Sequence, residues 1–316
     1  MHIKIKQTIA LIILVVILFV GVSYWLLPTG QMLTMSVQCA AKPALLNRIL
    51  ASPELREKWL NTVGKKDSLG MYRFEDCTFS FSSDFFQSTN MAVQYKNIKA
   101  SSPLTTQATN DSCQASLHFQ MPANNSIIGK WKQFFYSKKI SHATQKLLQS
   151  LANFVALPTN VYGTVMNLAT VKDSTLIAIK GNTVLYPTIN DIYKQIDKLQ
   201  KYALQNNAIA TNAPMLHILK NGAEGYAYMV ALPIDKWLTN NGEIIAKRML
   251  YGGKILETGK IKGGFYTVEQ YVKQLEYFRA DLNEISPAIP YQLLITNRQE
   301  EKDSNKWVTQ LYYPVF

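Results

Sequence analysis

The stretch that decides the fold is the last one, "WVTQLYYPVF" (Trp307–Phe316), because the chain has already written its like as "GYAYMVALPI" (Gly225–Ile234). Both alternate as strands do, and both end in an apolar residue, a proline and a β-branched residue: Leu232-Pro233-Ile234 and Tyr313-Pro314-Val315. Working upstream from each, the match continues. "KGNTVLYPTINDIYKQIDKLQKYALQNN" from Lys180 and "KGGFYTVEQYVKQLEYFRADLNEI" from Lys262 each open Lys-Gly and turn into a helix. Ile189, Ile192, Tyr193, Ile196 and Leu199 form the apolar stripe of the first helix; Val268, Tyr271, Val272, Leu275 and Phe278 form that of the second. A proline-bearing strand follows each, "APMLHIL" from Ala213 and "IPYQLLIT" from Ile289. The offset is constant to within one residue from Gly181/Gly263 through Tyr226/Trp307 to Pro233/Pro314, which is the mark of an internal duplication over about 175–234 and 255–316. One strand–helix–strand–strand unit leaves a naked sheet edge. Two units paired about a pseudo-twofold axis make one sheet backed by two helices, with the chain's last strand inside it.

Residues 29–158 carry a different α+β pattern. A strand over 33–39 is followed by "PALLNRILASPELREKWL" from Pro43, with Leu45, Leu46, Ile49 and Leu50 on one helical face. Alternating stretches at Met71–Phe81, Met91–Ile98 and Gln114–Met121 predict antiparallel strands, and a helical pattern at Ile140–Leu157 closes the segment before Pro158. Strands run together with helices at the ends, so a curved sheet gripping a C-terminal helix is predicted.

Ahead of both lies "TIALIILVVILFVGVSYWLL", Thr8–Leu27, without a charged residue. Its length in helical rise matches a hydrocarbon core, Tyr24 and Trp25 stand where an interfacial belt would be, and Pro28 ends it. His2, Lys4 and Lys6 precede it, which places residues 1–7 in the cytoplasm, an anchor at 8–28 and the remainder outside. The alternative is a cleaved signal peptide, whose apolar region would be unusually long and which no convincing small-x-small site follows at the required distance.

The 316 residues are 47% hydrophobic and 17% charged, the balance of a folded protein, with a net charge of +12. The lysines are scattered. Lys130/Lys132 and Lys138/Lys139 are the densest spots, and without a basic block or recognition motif nucleic acid is excluded as a partner. Cys39, Cys77 and Cys113 are too few for a disulfide framework; an oxidising compartment would allow one pair and leave one thiol, the pairing open. No metal-ligand spacing, nucleophile elbow or phosphate loop occurs, so neither a metal nor another cofactor is expected.

Two resemblances follow from these residues. The strand, "KPALLNRILASPELREKWL" with Trp59, sheet and closing helix over roughly 33–157 resemble the START-like (SRPBCC, polyketide-cyclase-like) superfamily. That likeness implies a cavity between sheet and long helix for an apolar ligand, or one filled by Phe79, Phe81, Phe85 and Phe86. The duplicated segment from about Val161 to Phe316, with "KGGFY", the proline-led strand and Trp307, Thr309 and Pro314, is similar to the GyrI-like small-molecule-binding family. Anchor, START-like and GyrI-like domains in that order look like a bacterial architecture, and imply a single-pass inner-membrane protein with periplasmic domains. The GyrI-like resemblance implies a ligand cleft where the two copies meet, lined by aromatics. Gln292 and Gln310 stand on the strands where relatives commonly carry a glutamate that meets cations or does acid/base work. An amide offers neutral hydrogen bonds and cannot transfer protons, so a small hydrophobic or neutral ligand, bound without catalysis, is expected. The candidate ligand residues are Gln292, Gln310, Tyr226, Tyr228, Trp307, Tyr312 and His217. A hydrolase of the kind found among such relatives would draw on Glu224, Glu269 or Glu276, none of them at the expected strand position; the other alternative is an envelope interaction protein whose basic surface touches anionic lipid.

Overall fold

The computed structural model describes the backbone of residues 2–83, 89–222, 225–286 and 288–316, and their side chains except at 2–10, 23 and 83. It forms two compact units, Met1–Leu157 and Pro158–Phe316.

The first unit opens with helix α1 (His2–Leu26), whose described apolar side chains from Leu11 to Phe19 are exposed. Thr8, Ile9 and Ala10, which begin the expected span, lie outside the residues whose side chains are described; among the described residues no helix is long and apolar enough to cross a membrane. Strand β1 (Met32–Cys39) follows, then the helix pair α2 (Pro43–Ala51) and α3 (Pro53–Leu60). Proline starts both helices, where the missing N–H costs nothing, and the Ser52 hydroxyl accepts from Leu55 N–H to cap α3. A meander runs through β2 (Lys65–Lys66), β3 (Tyr72–Phe74), β4 (Cys77–Ser83), β5 (Thr89–Tyr95) and β6 (Ile98–Pro103), paired in that order. Strands β7 (Thr105–Thr109) and β8 (Ser112–Gln120) join β1 in the order β1-β8-β7, and α4 (Ile127–Val155) packs against β1.

Two sequence expectations change here. Met71–Phe81 is a hairpin rather than one strand, because Glu75 and Asp76 take positive φ (49° and 63°) and turn the chain. The closing helix starts at Ile127, well before Ile140, with the Ser126 hydroxyl accepting from Gly129 N–H. Apolar periodicity could not reveal the first turns, since their buried positions hold Lys130, Gln133 and Ser137. Of the proposed cavity fillers, Phe79 is fully buried and Phe81 partly so, while Phe85 and Phe86 lie outside the described residues.

The register of β1 and β8 sets Cys39 directly opposite Cys113, both buried. The Cys39 thiol hydrogen-bonds Cys113, which with burial drives its pKa far up. Oxidation by a disulfide-exchange reagent is expected to join Cys39 to Cys113 and leave Cys77 free. Closing so long a loop should add about 2–4 kcal/mol to the unfolding free energy. Non-reducing peptide mapping beside a urea titration checks both; a bridge containing Cys77 would refute the assignment.

The second unit begins with α5 (Pro158–Tyr162), β9 (Met166–Thr170), β10 (Thr175–Thr183) and α6 (Ile189–Gln205), the last started by a Thr188/Asp191 capping box. Strands β11 (Met215–Lys220), β12 (Tyr226–Pro233), β13 (Ile245–Arg248), β14 (Lys254–Thr258) and β15 (Ile261–Lys262) lead to α7 (Phe265–Asp281). Strands β16 (Tyr291–Leu294) and β17 (Val308–Pro314) end the chain. The sheet order is β13-β10-β12-β11-β16-β17-β14-β9, with β15 also paired to β17. The trio β10-β12-β11 is thus repeated in reverse as β16-β17-β14, and the two trios join through the antiparallel pair β11–β16. The final strand lies between β16 and β14, both its edges occupied. On one face, Ile192, Tyr193, Ile196 and Leu199 of α6 bury Ile177, Ile179, Val230 and Leu232. Helix α7 covers the second copy with Val268, Leu275 and Phe278, and Tyr162 of α5 donates to Asp281 at 2.7 Å beneath it.

Candidate functional site

On the helix-bearing face, over the β11–β16 seam, lies a cavity of about 390 Å³. Strand periodicity supplies its floor: Ile218 and Lys220 of β11, Tyr226 of β12 and Gln292 of β16. Phe265, Tyr266, Glu269 and Val272 come from the first turns of α7 at helical spacing, and Tyr186 from the loop ahead of α6. The wall is a run of edge-to-face rings, Tyr226–Tyr186 at 5.3 Å and Tyr186–Phe265 at 5.1 Å, and Phe265 is backed in turn by Trp307 at 5.3 Å. Burial pushes the Tyr186 hydroxyl up to about 12, so it stays a neutral phenol. Gln292 is buried, and its Oε1 accepts no hydrogen bond. An unpaired amide oxygen at the edge of such a cavity is an acceptor available to a ligand.

Behind the wall sits Arg298, 1% exposed. Its guanidinium stacks over Phe265 and Trp307 (5.1 and 4.9 Å to the ring centres), and Nη2 donates to Thr309 Oγ1 at 2.8 Å. Its backbone N–H donates to the Tyr193 hydroxyl, while Nε and Nη1 have no hydrogen-bond partner. Trp307 Nε1 donates to Glu301 O at 2.8 Å, pinning the ring.

The sequence-derived candidates separate. Tyr226 and Gln292 line the cavity. Tyr228 packs in the core under α6, its ring against Gly181, where an added Cβ would come within 2.4 Å. Trp307 is buried behind Phe265 rather than in the cavity. Gln310 does not share Gln292's face: Leu293 pairs with Gln310 and Gln292 with Leu311, and directly opposed residues project to the same side. Gln310 instead donates through Nε2 to Thr258 O at 2.8 Å, bridging the interruption between β14 and β15. His217 and Tyr312 also lie on that other face. His217 lines a second cavity of about 280 Å³ with Met215, Met229, Met249 and Tyr291, and Tyr312 stacks on Tyr291 at 5.3 Å. The His217 Nδ1–H donates to Pro290 O at 2.7 Å, and burial lowers the ring's pKa, so it is held neutral in a structural contact.

Among the candidate acids, Glu269 lines the helix-side cavity, Glu276 is exposed and outside its lining, and Glu224 lies outside the described residues. The spacing Phe265–Glu269–Val272 was the available signal that Glu269 shares an aromatic face of α7. In the first unit, Gln133, Ser137 and Thr144 form a buried polar stripe on α4, each with side-chain atoms lacking a hydrogen-bond partner.

No family model matches the chain, and no curated protein matches it. Solved structures resemble it at low identity. The EcmrR C-terminal domain is 14% identical with a TM-score of 0.39, over 48% of this chain and 98% of that one. SAV2435 bound to tetraphenylphosphonium is 12% identical with a TM-score of 0.31, over 48% of this chain and 94% of that one. The di-domain ARO/CYC BexL is 8% identical with a TM-score of 0.32, over 90% of this chain and 85% of that one.

Proposed function

We propose that this chain binds a small, neutral aromatic molecule in the cavity over the β11–β16 seam, beside the first turns of α7, and does not transform it, as a membrane-anchored protein whose folded units, one START-like and one GyrI-like, lie outside the cytoplasm. The observation that carries the binding reading is the unpaired Gln292 acceptor in a ring-walled cavity of about 390 Å³. A flat ligand with one hydrogen-bond donor satisfies both features. The anchor reading is supported by the uncharged run Thr8–Leu27, all but its last residue in a 25-residue helix whose described apolar side chains from Leu11 to Phe19 are exposed. Alkaline carbonate extraction of membranes tests it; release into the supernatant would refute it.

Thermal-shift screening of the full chain with neutral aromatic amides and phenols tests the cleft. Hits should weaken about tenfold in Gln292→Leu when the ligand carries a donor, and hardly at all when it carries none. Equal losses for both sets would remove Gln292 from the site. Gln292→Glu should raise affinity for the lipophilic cation tetraphenylphosphonium by about 1–3 kcal/mol. The same change should destabilise the free protein. Burial disfavours the new charge, while the exposed Glu269 and Lys220 of the same cavity act in opposite directions, so its folded-state pKa lies above the unfolded one. The penalty is therefore full above the folded pKa and disappears as pH falls through the unfolded one. Urea titrations at pH 4 and pH 8 read that difference directly.

Glu269 gives the second reading its one specific support, since a carboxylate does reach the cleft. Hydrolysis of an activated ester that Glu269→Gln abolishes would replace binding by catalysis.

A further inference from the structure

The outward face of α4's first turns carries large apolar and basic side chains side by side. Ile128 is 70% exposed and Phe135 55% exposed, with Lys132, Lys138 and Lys139 exposed beside them. A helix that merely meets water has no use for such a face. Trp131 stacks on Phe135 at 6.0 Å and reaches Phe19 of α1 at 6.1 Å, so the apolar surface of α1 runs without a break onto α4.

The chain holds this face beside the end of α1. Asn124 N–H donates to Thr29 O and Met121 N–H to Gln31 O, each at 2.9 Å, so the lead-in to α4 is stitched to the residues immediately after the apolar helix. Lys130, buried, donates to Tyr24 O at 2.9 Å and sits 3.9 Å from the Tyr24 ring centre, satisfying one of the terminal carbonyls of α1. Gly129 lets the Asn124 side chain cross the helix start, since a Cβ there would meet Asn124 Oδ1 at 1.9 Å.

We infer that the N-terminal turns of α4 form a second membrane contact, lying in the lipid headgroup layer with Ile128, Trp131 and Phe135 toward the acyl chains and the lysines toward anionic headgroups. This rests on the membrane-anchor reading above. The occupant follows from continuity with α1 and from charge: aromatic rings and lysines on one helical face match an interface that is apolar below and negative above. The consequence for function is orientation. An anchor alone would let the first unit swivel, whereas two contacts fix which side of it faces the membrane.

The experiment uses the full chain in nanodiscs of phosphatidylcholine and phosphatidylglycerol. All three native cysteines are buried, so an environment-sensitive label goes to Lys132→Cys alone, or to Lys99→Cys, at an exposed position of β6, as the control. The label at 132 should be quenched by lipid-borne nitroxides and the label at 99 should not. Adding Ile128→Ser and Phe135→Ser should reduce the quenching about threefold while the chain stays in the disc. A label at 132 that is unquenched in chains retained by the disc overturns the contact and leaves the anchor standing. Chains that fail to enter discs at all overturn both. Shielding that follows the number of chains per disc, not the lipid, would assign the face to a second copy and also overturn the proposal.

Discussion

Trp59→Ala is expected to lower the unfolding free energy by about 3–5 kcal/mol, enough to unfold a marginal unit near physiological temperature. Trp59 is wholly buried among the residues that α3 contributes to the first unit, and its Nε1 donates to Ser150 Oγ of α4 at 3.0 Å. Phe81 meets its ring edge-on at 5.9 Å. One side chain thus ties the helix pair, the meander and the long helix together. Trp59→Phe should recover most of the loss, because it keeps the ring packing and forfeits one hydrogen bond together with part of the volume. Urea titration followed by far-ultraviolet circular dichroism measures both. Equal damage from the two substitutions would mean the indole N–H, not the packing, holds the unit.

Arg298 gives the second large effect, and here the direction depends on the replacement. Its guanidinium is buried with a single side-chain hydrogen bond and two aromatic faces, and no carboxylate pairs with it among the described residues. Burial accordingly pulls its pKa down, although an arginine remains charged at any ordinary pH. Removing such a cation while keeping its bulk relieves a desolvation cost. Arg298→Met is therefore expected to match or exceed the parent stability. Arg298→Ala should cost about 2–4 kcal/mol, since it opens a void between Phe265 and Trp307. The alanine variant should also bind cleft ligands more weakly than the methionine variant, because Phe265 then loses the support that holds it in the cavity wall. Calorimetric melting of the two variants, with and without a ligand found by screening, separates these effects. Methionine as damaging as alanine would show that the charge itself is compensated and needed.

The duplication was legible because it depends on local pattern alone: helical stripes, proline positions and a constant offset survive in one dimension. Lys-Gly before each helix and Pro233 and Pro314 in the matching strands were sufficient markers. The start of α4 was not legible, since its buried side carries Lys130, Gln133 and Ser137, which no hydrophobic period reports. Of the residues named from the sequence, those on one strand face could be told from those on the other only in the fold. Tyr226 and Gln292 face the cleft, but Gln310, His217 and Tyr312 project to the other side of the sheet.

By itself, then, the sequence marked the two matched helices and the proline-bearing strands of the repeated half and implied that its last strand is internal, while α5 and β13 carried no such mark. Period two tells that neighbours along a strand alternate, so the sequence could sort each strand's residues into two sets. It could not say which set of one strand shares a face with which set of the next. Only the tertiary structure decided that, through register: Leu293 opposite Gln310, Gln292 opposite Leu311. A shift of one residue would have exchanged the two faces and put Gln310 in the cleft, because hydrogen-bonded strands fix side-chain direction by pairing and not by composition.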